Sequence, residues 1–454
     1  MKSRESKYYS TNLKAPEVSF REALLKGLAP DGGLYMPSHI PELTENDIKR
    51  FRSAAYHEIA YEVLNYFLIN DISSGDLKAI CSDAYTFDVP VEKVYTSRYI
   101  LRLDRGPTAS FKDFAARMMA RLMHHFISQD NLHFTILTAT SGDTGSAVAS
   151  AFHGFRNINV IILFPAGEVS DIQRRQMTTL HDNVNVVAID GKFDDCQRLV
   201  KTAFSDPELA DIHLSSANSI NIGRLLPQAV YYFYAWSLVS ENADENVIFS
   251  VPSGNFGNLM GGIIAREMGL PVRKFIISTN SNNEVPEFLR TGSYKTISPS
   301  INCMSNAMNV GHPSNLARIV AFYGGIMDEA GVILKAPDIE RMRNDFHGVS
   351  ISEEETRNTI KECYNDFGVI LEPHGAVAWK GAEYYCDILN KEKDQLVVSL
   401  ETAHPAKFRK EVESILGISL PIPDSLKGIE TGKEEFAEMK NDYEKLRTYI
   451  RRLA

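Results

Sequence analysis

The sequence predicts an α/β protein built on mostly parallel sheet, and three observations carry the prediction. From about residue 130 onward, short apolar runs recur: "HFTILTAT", "NVIILFPAG", "VNVVAID", "ENVIFSVP", "RKFIISTN" and, near the end, "QLVVSLET". Runs of this length, rich in β-branched residues, read as buried strands. Amphipathic stretches separate them, and strands alternating with helices pair in parallel. Finally, 454 residues with 44% hydrophobic and 23% charged side chains supply two or three domains with sizeable cores.

Residues 1 to 95 form a different kind of segment. Turns such as "LAPDGGLYMPSHIP" alternate with helical patterns such as "DIKRFRSAAYHEIAYEVLNYFLIN", which predicts a small N-terminal lobe. Two α/β domains follow, over 96–240 and 241–454. The last 25 residues, ending "TGKEEFAEMKNDYEKLRTYIRRLA", predict a charged surface helix docked by an apolar seam at Phe436, Met439, Tyr443, Leu446 and Ile450. No repeat or low-complexity segment interrupts this plan.

Composition excludes several functions. The net charge of -10 is spread along the chain, without the basic cluster that a nucleic-acid surface needs. Cys81, Cys196, Cys303, Cys363 and Cys386 lie far apart with no metal-ligand spacing, so they read as reduced structural thiols. The start "MKSRESKYYST" lacks an apolar leader core and no long apolar run follows, so no membrane span is expected and a cytoplasmic location is.

The chemistry concentrates at two loops and one lysine. In "LTATSGDTGSAVASAF", Ser141, Gly142, Asp143, Thr144 and Gly145 lie between a strand and an Ala-rich helix, where helix N-terminal N–H groups and hydroxyls suit an anion. "VIFSVPSGNFGNLMGG" repeats the arrangement at Ser253 to Asn258, with two glycines that let backbone wrap a phosphate. Neither loop matches GxxxxGK[ST] or GxGxxG, and each alone is equally a tight strand-to-helix connection.

Lys112, in "RGPTASFKDFAARMMARLM", falls in the first turn of a helix. Ser110 is its expected cap, and Phe111, Phe114, Ala115, Met118, Leu122 and Phe126 are its expected buried face. Burial and the positive helix end both disfavour the ammonium, and a partly neutral amine can form a Schiff base. By itself this reads first as a surface lysine beside Asp113. An activated lysine together with phosphate-cradling loops, however, is what a phosphorylated aldehyde cofactor requires.

"GPTASFKDFAARMM", "TATSGDTGSAVA", "NSINIGRLLPQ", "VPSGNFGNLM" and "ETAHPAKF", with the N-terminal "VSFREALLKGLAPDGGLYMP", occur in order over residues 8 to 410, and the chain resembles the threonine synthase family in its longer bacterial and fungal form. The resemblance implies a fold-type II, tryptophan synthase β-like enzyme dependent on pyridoxal 5'-phosphate. Its reaction would convert O-phospho-L-homoserine and water into L-threonine and phosphate, in a monomer.

Carried over by position, Lys112 would hold the cofactor and act as acid and base. Gly254, Asn255, Phe256, Gly257 and Asn258 would bind its phosphate through backbone N–H groups, Thr402 would face the pyridine nitrogen and Asp143 the ring hydroxyl. Ser141, Thr144, Asn218, Ser219 and Arg224 would hold the substrate phosphate, which on release would serve as base for water addition. Arg224 fits because guanidinium grips phosphate with paired hydrogen bonds, although a structural ion pair is an equal reading. His312 and His404 read as structural. Asn12-Leu13 and Asn309 depart from the Arg-Gly and Asp common in relatives. A related phospho-lyase releasing a keto acid, and a silent cofactor-binding relative, are the competing readings.

Overall fold

In the computed structural model, which describes residues 6–389 and 394–454, the apolar runs become strands of two sheets. The larger has six strands, in the order Phe346–Ser350, Val272–Thr279, Val247–Pro252, Leu396–Glu401, Arg98–Arg102 and Val91–Tyr95. All neighbours are parallel except the last pair. The smaller sheet, parallel throughout, runs Ala437–Lys440, Val184–Asp190, Ile158–Pro165, Phe134–Ala139 and Leu214–Ser215.

Phe134–Ala139 and Val247–Pro252 are buried at every residue, which is why they read as unbroken apolar runs rather than alternating ones. Helix Pro373–Glu383 packs across three strands of the larger sheet, and the Ser250 hydroxyl donates to the Ala378 carbonyl at 2.6 Å to fix that contact.

The sheets do not follow the linear division at residues 95 and 240. Arg98–Arg102 pairs with Leu396–Glu401, which places an early strand inside the sheet formed by the second half of the chain. Its flanking arginines concealed it as a buried strand; Arg102 is satisfied there by Glu92 at 2.8 Å and Glu401 at 3.5 Å. Conversely, Ala437–Lys440 returns to the smaller sheet and covers the edge of Val184–Asp190.

The final segment is therefore part strand. The helix spans Tyr443–Leu453 only, Met439 belongs to the edge strand, and Phe436 is 39% exposed. Leu446 and Ile450 are fully buried in a cluster with Leu199, Ala203 and Ile189.

The N-terminal segment pairs Tyr8–Ser10 with Tyr35–Pro37 and opens helix Phe20–Lys26 with a reciprocal Ser19/Glu22 capping box. The helical pattern at 47–70 is split by a turn at Phe51–Ser53 into helices Glu45–Arg50 and Tyr56–Leu68. Its apolar residues share one continuous core with both sheets. Tyr56 lies 5.3 Å from Phe114, and the Tyr85 hydroxyl donates to the Phe114 carbonyl at 3.1 Å, so this lobe braces the back of the Lys112 helix.

That helix spans Lys112–Gln129, with Phe114, Ala115, Met118, Leu122 and Phe126 buried and Phe111 partly so. Ser110 does not cap it: the Ser110 hydroxyl is buried without a partner among the described residues, and Phe111 is the cap position, with no side-chain bond. The cause is tertiary. Ser110 is drawn into an antiparallel bridge with Ala403, through Phe111 N–H to Thr402 O at 2.8 Å and His404 N–H to Ala109 O at 3.0 Å. Asp113 instead accepts from the Thr108 N–H at 2.8 Å and hydroxyl at 2.6 Å.

Candidate active site

The Lys112 helix starts where the C-terminal ends of both sheets meet. This is where an open parallel sheet places its ligands, because strand-to-helix loops cluster there. The Lys112 side chain is 15% exposed, with its Nζ 3.9 Å from Asp143 Oδ2. Burial lowers its pKa to about 8; Asp143 opposes the change, Lys407 and Arg224 reinforce it, and Glu372 opposes it. The amine is thus partly neutral near pH 8, as a nucleophile requires.

Asp143 sits in the first turn of helix Asp143–Phe152, behind Gly142 at φ 136°, a conformation only glycine adopts readily. Burial alone would raise its pKa. The Lys407 ammonium at 2.7 Å, Lys112, and a hydrogen bond from Gln173 Nε2 at 2.9 Å outweigh this and hold the carboxyl well below the usual carboxylate range.

The loop before Asp143 is shaped by Thr140, whose hydroxyl accepts the Gly142 N–H at 2.9 Å and the Gly145 N–H at 2.8 Å. Two of the N–H groups expected to face an anion are therefore used internally. Ser141 and Thr144 remain half-buried, and their hydroxyls have no hydrogen-bond partner among the described residues.

In the second loop, Phe256 takes a left-handed conformation, φ 61°, although it is bulky and buried; strain of this kind is held only where surrounding structure enforces it. The twist turns successive N–H groups the same way at the start of helix Gly257–Glu267. Among the described residues, the N–H groups of Asn255, Phe256, Gly257 and Asn258 donate to no backbone or side-chain acceptor. A Cβ on Gly254 would stand 2.7 Å from the Ala307 carbonyl oxygen, so the close approach there admits only glycine. The Asn258 side chain is structural: its Oδ1 accepts from Tyr231 and Tyr232 hydroxyls, each at 2.7 Å.

Asn218 and Ser219 bridge the two loops. Asn218 Nδ2 donates to Ala139 O at 3.0 Å, at the end of the strand leading to Asp143. Asn315 Nδ2 donates to Ser219 O at 3.3 Å while its own N–H donates to Asn255 O at 3.3 Å, which seats Ser219 beside the second loop.

Arg224 is buried, donates to Ala217 O at 2.6 Å, and leaves Nε without a partner among the described residues. Among the described residues no carboxylate forms an ion pair with it, and burial lowers its pKa to about 10 against the weak pull of Asp113. The structural ion-pair reading fails. A buried guanidinium with a spare donor, in the field of Lys112, is suited to an anion that arrives from outside.

Thr402 lies beside Phe111 at the Ser110–Ala403 bridge, 5% exposed, and its hydroxyl donates to Glu372 Oε1 at 3.5 Å. Glu372 caps helix Pro373–Glu383, and the His374 ring that contacts it accepts the Ala307 N–H at 3.1 Å, next to Gly254. Thr402 and the second loop are thereby linked through buried polar groups.

All thirteen expected site residues therefore occupy one region. Sequence reasoning missed Thr140, Gln173, Glu372 and Lys407; only Lys407, a lysine among apolar neighbours in "ETAHPAKF", carried a readable signal. His312 pairs with the Tyr294 hydroxyl at 2.9 Å, and His404 accepts the Ala406 N–H at 3.1 Å with its pKa lowered by burial to about 4. Both are structural. Asn309 is likewise engaged, accepting from Asn280 Nδ2 at 3.0 Å and from the Cys303 N–H at 3.1 Å, and Asn12 Nδ2 donates to Asp31 O at 2.9 Å.

An amine of this kind, an N–H-lined glycine loop and a buried guanidinium fit a phosphorylated aldehyde and a phosphorylated substrate side by side. Comparison with known proteins agrees. Models of the families "Threonine synthase N terminus", "Pyridoxal-phosphate dependent enzyme" and "Threonine synthase, C-terminal" match residues 7–85, 92–401 and 376–450. Threonine synthase of Haemophilus influenzae is 41% identical over 447 residues, 97% of this chain and 98% of its own length. PLP-bound threonine synthase from Brucella melitensis aligns at TM-score 0.92 and 36% identity over 99% of both chains, and the crystal structure of threonine synthase from Escherichia coli at 0.88 and 35% over 99% and 100%.

Proposed function

The chain belongs to the threonine synthase family of pyridoxal-phosphate-dependent enzymes, and from that premise we propose that Lys112 carries the cofactor and the proton transfers of the family's reaction. That reaction is conversion of O-phospho-L-homoserine and water into L-threonine and phosphate. One observation supports the assignment most: Lys112 is a partly neutral amine at the point where two anion-suited segments converge.

Pyridoxal phosphate, when bound, supplies an aldehyde for the amine and a ring that takes up charge from the substrate α-carbon. Asn255 to Asn258 would hold the cofactor phosphate through N–H groups. Thr402 would meet the pyridine nitrogen and Asp143 the ring hydroxyl. Arg224, with Ser141, Thr144, Asn218 and Ser219, would hold the substrate phosphate and keep it after it leaves. The Lys112 nitrogen, once released by the substrate, would take the α-proton and return it further along the carbon chain.

The reading extends to a monomer in a reducing cytoplasm. Five cysteines, four of them buried and none in a disulfide among the described residues, support the compartment, and sedimentation of the purified chain tests the assembly state.

Reduction of the cofactor-loaded chain with borohydride, then peptide mass analysis, tests the lysine assignment. The phosphopyridoxyl mark is expected on Lys112. A mark on Lys407, the other buried amine of the site, would refute it.

A further inference from the structure

Lys407 is 2% exposed, in the turn Pro405–Phe408 just beyond Thr402. An ammonium at that depth persists only if its protons find acceptors. Its Nζ donates to Thr108 O at 2.9 Å and pairs with Asp143 Oδ1 at 2.7 Å. Gln173 Nε2 donates to the same oxygen at 2.9 Å. Oδ1 is thus occupied twice over, and Oδ2 is the oxygen left facing Lys112 at 3.9 Å. Thr108, in turn, is held by Asp113, the residue after Lys112. One buried amine therefore braces both the carboxylate opposite Lys112 and the turn that presents Lys112.

We propose that Lys407 is a positioning residue of this site, acting through Asp143: it fixes the carboxylate and takes up its charge, so that Lys112 faces a neutralised pair instead of a bare carboxylate. The proposal rests on Lys112 being the cofactor-bearing amine. The charged groups facing Lys112 are Asp143, Lys407, Arg224 and Glu372; Lys407 also faces Asp113 and His404. With two cations and two carboxylates around the amine, loss of Lys407 alone tips the balance negative. A bare carboxylate within 4 Å stabilises the protonated form of the nearby nitrogen.

The test titrates the full chain, loaded with pyridoxal phosphate, against pH while following the visible absorbance of the cofactor on Lys112. Lys407→Met is expected to raise the midpoint by about one pH unit or more, and Lys407→Arg to leave it near wild type. Asp143→Asn is expected to lower it, and the double variant Lys407→Met/Asp143→Asn to match Asp143→Asn alone, because the carboxylate through which Lys407 acts is gone. An unmoved Lys407→Met midpoint, or a Lys407→Met shift as large in the Asp143→Asn background as in the wild type, overturns the proposal. If Lys407→Met does not fold, Asp143→Asn read against the double variant decides: midpoints that differ by about one pH unit or more overturn it. A visible band that survives in Lys112→Ala overturns both this proposal and the lysine assignment, and so is distinguished from failure of the coupling alone.

Discussion

Lys112 reacts because of what its position costs. Depression from the ordinary 10.5 to about 8 corresponds to roughly 3 kcal/mol of unfavourable burial. Below pH 8 the amine is protonated in both folded and unfolded chains, and the penalty is felt in full. Between about 8 and 10.5 the unfolded chain binds the proton that the folded chain has lost, so stability rises with pH. In the cofactor-free chain, Lys112→Met is therefore expected to stabilise by on the order of 2–3 kcal/mol at pH 7, with the gain shrinking toward pH 10.5; urea unfolding at the two pH values measures it. Arg224 makes the complementary prediction. Arg224→Met should lower kcat/KM for O-phospho-L-homoserine by about 10- to 150-fold, the ~1.5–3 kcal/mol of a charge-assisted bond, with cofactor absorbance unchanged. At this scale the sequence reveals residue types and little of their partners. Lys112 was legible because helix periodicity buries its neighbours. The failure of Ser110 to cap was not, because its bridge to Ala403 spans nearly three hundred residues.

At the scale of elements, each loop is a strand that ends, a twist and a helix that begins. The twist decides where N–H groups point. Gly254→Ala should weaken pyridoxal phosphate binding by about 1–3 kcal/mol, roughly 5- to 150-fold in Kd, because the added Cβ meets the Ala307 carbonyl oxygen and backbone must shift; absorbance titration reads it. Thr140→Val should loosen the first loop instead, raising KM for the phosphorylated substrate while cofactor affinity holds, since Thr140 satisfies two N–H groups beside Ser141 and Thr144. Six strands were legible from their apolar runs because both faces are buried. Arg98–Arg102 and Phe346–Ser350 were not, because polar residues interrupt them: Arg98 and Arg102 bury by pairing with partners distant in sequence.

At the scale of the molecule, the two sheets exchange their ends. An early strand completes the larger sheet and the C-terminal strand and helix complete the smaller one, so both sheets draw on distant parts of the chain. Truncation before Asp442 exposes the cluster that Leu446 and Ile450 fill, at about 1.5–3 kcal/mol per side chain, and should lower the thermal midpoint while pyridoxal phosphate still binds. Among the described residues no helix is long and apolar enough to cross a membrane. The α/β class followed from strand and helix alternation alone, whereas cofactor and substrate entered through family motifs, since periodicity carries no chemistry. The most direct measurement is incubation of the purified, pyridoxal-phosphate-loaded chain with O-phospho-L-homoserine, with threonine and phosphate assayed together. The structure and family membership predict equal amounts of both, and neither from Lys112→Ala. Phosphate released with a keto acid and no threonine would contradict them.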